Sequence, residues 1–144
     1  MAAELSPRMQ HIAEIFDSSE PVASSKVVYL SGLSSKELKF LGEIWVDADA
    51  AWRHQFISQL VHLSEVDFRL DFSGVFVLCL SDPDETIRIQ AVTGLDGEEN
   101  YLLIAPLLRA LKEDSSAEVR AAAAIALGKF ALLGELGKIP THYK

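Results

Sequence analysis

Cysteine is nearly absent: Cys79 is the only one in 144 residues. No internal disulfide can form, and no cysteine cluster can hold a metal. Cys79 lies within "GVFVLCL", a setting that suits a small buried hydrophobe better than a nucleophile. Positive charge is scarce too, with 13 lysines and arginines against 21 acidic residues and a formal net charge of −8. Both halves share the deficit: 6 basic against 11 acidic residues over 1–72, and 7 against 10 over 73–144. Without a basic stripe to meet phosphates, nucleic acid is not an expected partner. No apolar run reaches the roughly 18 residues of a membrane span, so a membrane is not expected either. The start, "MAAELSPRMQHIAEIF", lacks the charged head and long apolar stretch of a secretion signal. A cytoplasmic protein is the default expectation. Hairpin turns between alternating strands are missing. So are HExxH, GxSxG, a glycine-rich phosphate loop and a calcium loop; no catalytic group, cofactor or metal is expected.

What remains is helix. Hydrophobic residues make up 49% of the chain, enough for a sizeable core. In "SPRMQHIAEIF", Ser6 stands at a cap and Pro7 at the first helical position, where a missing N–H does no harm. Met9, Ile12, Ile15 and Phe16 then recur at helical spacing. "PVASSKVVYLSGL" predicts a short helix with Val27 and Leu30 inward, ended by Gly32. Ser34 followed by Glu37 has the spacing of a capping box, ahead of the stripe Leu38, Leu41, Ile44 and Trp45. Asp47 or Asp49 then caps a helix with Trp52, Phe56, Leu60 and Leu63 inward. The apolar segment 72–80 could be a buried strand on its own; its helical neighbours favour helix. Helices follow over 84–95, with Ile87, Ala91, Val92 and Leu95 on one face, and over "NYLLIAPLLRALK", with Leu103, Leu107, Leu108 and Leu111 inward. The last helix carries a second expected capping box, Ser115 with Glu118, and the run Ala121 to Ala124, the best helix former there is.

Two of these segments repeat. "DPDETIRIQAVTGL" lies over "DSSAEVRAAAAIAL" with Asp82 on Asp114, Ile87 on Val119, Arg88 on Arg120, Ala91 on Ala123 and Leu95 on Leu127, each pair 32 residues apart. The unit is helix, tight acidic turn, helix. It resembles the HEAT repeat in its short bacterial form, which also occurs in phycobilin lyases. The resemblance rests on those two stretches, the second running on through "GKF". The first copy departs from the pattern, with Ile89 and Gln90 where alanines are usual and Thr93–Gly94 in place of two helix formers.

The resemblance implies an all-α fold: an α-α superhelix, or HEAT-like solenoid, of about three to four helix pairs. Residues 34–131 form the array, clearest over 72–95 and 101–131. Residues 1–33 are an N-terminal helical cap and 132–144 a C-terminal extension. "FALLGELGKIPTHYK" is similar to HEAT-containing bacterial proteins that continue further, which implies a truncated chain. In such stacks the turn aspartate pairs with an arginine of the same or the next repeat. Asp82, Arg88, Asp114 and Arg120 are therefore expected to form a structural ladder, with the pairing left open.

The carboxylates of "DPDE" suit helix capping better than catalysis. The second copy keeps Asp114 but has Ser116 where Asp84 stands, a swap that a cap tolerates. His54 and His62 are two turns apart, about 12 Å by helix rise, too far to share a metal. The expected function is that of a non-catalytic scaffold, not an enzyme, holding another protein on the ridge of second helices. Trp45, Trp52, Gln90, Thr93 and Lys129 are the candidate contacts. The acidic loop "DGEEN" could instead meet a basic partner. The apolar C-terminal end is expected to pack against something, another copy of the chain included. The alternative, by family resemblance alone, is a lyase or chaperone acting on a bilin chromophore.

Overall fold

The computed structural model describes residues 6–17 and 22–135. Every regular element among them is helical, and polar caps fix where the helices start. Helix α1, Pro7–Asp17, opens with the Met9 N–H donating to Ser6 Oγ at 3.1 Å. Helix α2 is a single turn, Ser24–Val27, tightening into a 3₁₀ turn over Val28–Leu30. Serines compete with the helix for backbone groups, so it goes no further. Gly32 ends the segment at φ +64° and donates its N–H to the Asp71 carbonyl at 2.8 Å.

Helix α3, Ser35–Trp45, has the expected capping box: Ser34 N–H to Glu37 Oε1 at 2.8 Å, and Glu37 N–H to Ser34 Oγ at 3.2 Å. Asp49, not Asp47, caps α4, Ala50–Val66, accepting from Ala51 and Trp52 N–H. Segment 72–80 is helical: α5 spans Ser73–Cys79. Asp84 caps α6, Glu85–Leu95. Pro106 stands in the first turn of α7, Ile104–Glu113, where no backbone bond is lost. The capping box expected on Ser115 and Glu118 is replaced by a simple cap one residue later. Ser116 Oγ accepts from Val119 N–H at 3.3 Å ahead of α8, Ala117–Glu135. Val119, at the reciprocal position, has no polar group to reach back with.

Helices α5 and α6 pair, as do α7 and α8, while α3 and α4 are consecutive helices that join the stack through α5 and α6. The second helices stack α4 on α6 on α8, α3 lies against α5, and α1 covers α3. Successive copies of one apolar pattern thus bury one continuous core, running from Ile12 in α1 to Phe130 in α8. Leu108, expected inward, is instead 36% exposed. Gly94 admits the ring of the fully buried Phe76; a Cβ there would lie 2.5 Å from it. The departure from two helix formers at Thr93–Gly94 has that packing cause.

Candidate functional site

The turns ahead of α4, α6 and α8 carry a ladder of charge. Each second helix places an arginine one turn in, and the guanidinium points back over its own turn. Arg53 Nη1 donates to the Ala48 carbonyl at 2.6 Å, Arg88 Nη1 to the Asp82 carbonyl at 3.0 Å, and Arg120 Nη1 to the Asp114 carbonyl at 2.7 Å. The rest of each fork reaches the next repeat. Arg53 Nε meets Asp82 Oδ2 at 3.0 Å, and Arg88 Nε meets Asp114 Oδ2 at 3.0 Å. Asp82 Oδ1 and Asp114 Oδ1 each accept the N–H two residues on, from Asp84 and Ser116, at 2.8 Å. So Arg88 pairs with the carboxylate of the following repeat, not of its own. Arg120 makes no ion pair among the described residues.

The partner of Asp82 is Arg53, which the sequence reading passed over. The signal was present: "DADAAWR" matches "DPDETIR" and "DSSAEVR", but the first spacing is 35 residues and the second 32. Burial pushes the Asp114 carboxyl up, but the Arg88 hydrogen bonds, the Ser116 N–H and the charges of Arg88 and Arg120 outweigh it. The carboxyl is held below its ordinary range.

The candidate contact residues separate. Trp45 is buried, its Nε1 donating to Asp82 Oδ2 at 2.7 Å, so it belongs to the ladder and presents no surface. Trp52 is half-buried, stacked on Phe56 at 4.8 Å. The two tryptophans do not stack on each other; both meet Phe16, at 5.9 and 4.6 Å. Gln90 is half-buried, and Thr93 is exposed with its hydroxyl donating to the Ile89 carbonyl.

Thr93 and Lys129 come together at the opposite end of the helices from the ladder. They line a cleft of about 710 Å³ with Glu65, Phe68, Asp96, Glu98 and other residues of these loops. Phe68 is the element that sequence reasoning missed: it is 94% exposed. The cause is local. The Leu70 N–H bonds the Asp67 carbonyl at 3.2 Å, and Arg69 forks onto both Asp67 oxygens at 3.0 Å. That closed turn leaves Phe68 at its tip. Lys129 Nζ bonds Asp96 Oδ2 at 2.9 Å, while Asp96 Oδ1 is buried and has no hydrogen-bond partner among the described residues. Burial, then the charge of Asp71, raises the Glu98 carboxyl above its ordinary range.

Residues 75–139 match the family model for HEAT repeats. These residues, a little under half of the chain, are HEAT repeats. No curated protein and no solved structure matches the chain. The HEAT match takes in α5 to α8, and α3/α4 joins the stack through the same ladder geometry. Among the described residues, no group of three or more histidine, cysteine or acidic side chains gathers as a metal site would. Cys79 is buried, and burial pushes its thiol far up, with the charge of Asp82 adding to it, which disfavours the thiolate. No described helix is long and apolar enough to cross a membrane.

Proposed function

We propose that this HEAT array is a non-catalytic scaffold that holds another protein, and that the cleft around Phe68 is where it does so. The observation that carries this is Phe68 itself: an aromatic ring 94% in water, set by a closed turn beside a cleft. A large apolar group costs free energy when left exposed and contributes strongly when covered. The chemistry around it favours a cationic partner. Glu65, Asp96, Glu98 and Glu99 line the cleft against one lysine. A lysine or arginine of the partner can meet these carboxylates and lie over the Phe68 ring. The same charges repel phosphate, which argues against nucleic acid.

The test is affinity capture from the native host with three baits: the wild-type chain, Phe68→Ala and Glu98→Lys. A set of proteins held by the wild type, lost by both variants and released by added salt is the expected result. Phe68 is exposed and Glu98 half-buried in the cleft wall, and an unchanged circular dichroism spectrum is the check that each variant is folded. Identical captures by all three baits would remove the cleft from the function.

A further inference from the structure

The repeats themselves show which face of a second helix is normally covered. Ile57 in α4, Val92 in α6 and Ala124 in α8 occupy equivalent places. Ile57 is 0% exposed and Val92 1%, because α6 lies on α4 and α8 on α6; Ala124 is exposed. The Ala124 position of α8 is thus a stacking position with nothing described upon it, and Ile125 and Leu132 lie beside it, at places where Thr93 and Asn100 are exposed. This face is also not built for water. Ala121, Ala124, Ile125, Gly128 and Leu132 are all exposed, Ile125 by 65% and Leu132 by 56%, and none is charged.

The order of sizes on this face identifies its occupant. Ala121, Ile125, Gly128 and Leu132 are spaced four, three and four residues, the spacing of a coiled-coil seam. Small and large alternate along it. A Cβ at Gly128 would meet nothing within 4 Å, so the glycine is an open hole. In an antiparallel crossing of two such helices, Ile125 of one faces Gly128 of the other, and Ala121 faces Leu132. Both pairings share a midpoint between Ala126 and Leu127, so a single two-fold axis generates them. Each helix carries the knobs and the holes that the other needs. Lys129, at the edge of the face, is engaged by Asp96.

We infer that α8 docks against α8 of a second copy of this chain, antiparallel, making a two-fold dimer that covers this face of each array. Closed two-fold pairs are the commonest assemblies, because one self-complementary patch suffices. Each copy carries a net charge of −8, so the copies repel at long range and the dimer should tighten as salt rises. This is the opposite salt dependence to that of the cleft.

Light scattering after size exclusion, on the full chain across a concentration series, tests this. The expected mass is twice 15.8 kDa at high micromolar concentration, falling toward 15.8 kDa on dilution. Ile125→Glu and Leu132→Glu should each give a monomer with an unchanged circular dichroism spectrum, since both positions already face water. The orientation has its own readout. Under oxidation, the double variant Ala121→Cys/Leu132→Cys should form cross-linked dimers. Neither single variant should, because the axis leaves each residue about 16 Å from its own copy by helix rise. A wild-type chain that is monomeric at every concentration overturns the dimer. So does a dimer that survives both glutamates. Cross-linking by Leu132→Cys alone overturns the antiparallel register.

Discussion

Asp82 accepts four hydrogen bonds on one buried carboxylate: one from the Trp45 indole, two from Arg53 and one from the Asp84 N–H. Arg53 is itself almost wholly buried. A buried ion pair contributes little net stability over a well-packed apolar pair, but breaking one leaves a charge stranded in low dielectric. Asp82→Ala should therefore cost about 3–5 kcal/mol. Trp45→Phe, which keeps the ring and removes one donor, should cost only about 1–2 kcal/mol. Urea titration of the two variants measures both, and a loss under about 1 kcal/mol for Asp82→Ala would show that Arg53 finds water. Only half of this site could be seen in the chain. Asp82 stood out because its copy lay 32 residues on; Arg53 did not, because the longer α4 makes its spacing to Arg88 35 residues, and Trp45 stood out only as an apolar-stripe residue and a candidate contact.

At the scale of the helix, the sequence is most legible where backbone donors must be satisfied. Ser34 with Glu37, Asp49 and Asp84 each mark a helix start within a residue or two. Ser115 with Glu118 fits the same rule equally well, yet Ser116 is the cap, since two adjacent serines offer the backbone the same oxygen. Packing is less legible. Gly94 reads as a weak point in α6, but it is where Phe76 of α5 lies flush against the helix. Gly94→Ala gains about 1 kcal/mol of helix propensity and loses about 1–3 kcal/mol by overpacking, since a ring with no exposure has nowhere to move. The net expectation is a lower melting temperature. Phe76→Leu should reverse the sign, so that Gly94→Ala in that background stabilises. A melting temperature raised by Gly94→Ala alone would mean that the ring yields.

At the scale of the whole molecule, the apolar periods and the 32-residue repeat fix the stack, because stacking uses only local patterns. The cleft is different: its walls come from the ends of α4, α6 and α8, brought together only by the finished array. The two ends of the molecule also respond oppositely to acid. Asp114, at the ladder, has its folded pKa below the unfolded value, so its contribution is complete above the ordinary aspartate pKa and is lost as pH falls through the folded value. Asp84, held by the Thr86 hydroxyl and N–H, behaves alike. Glu98, in the cleft, has its folded pKa raised by burial and by Asp71. Its charge therefore opposes folding at neutral pH, and the penalty fades as pH falls through the folded value toward the ordinary glutamate value. Melting temperature against pH should accordingly rise slightly on leaving neutrality, then drop below about pH 4 as the aspartates protonate. Glu98→Gln should raise the neutral melting temperature and flatten the first limb while leaving the second intact. Asp114→Asn should lower the neutral melting temperature and shrink the acid drop, with the first limb unchanged. If Glu98→Gln instead altered only the drop below about pH 4, the cleft carboxylate would be titrating as an ordinary solvated one, and the cleft would be open to water even without a partner.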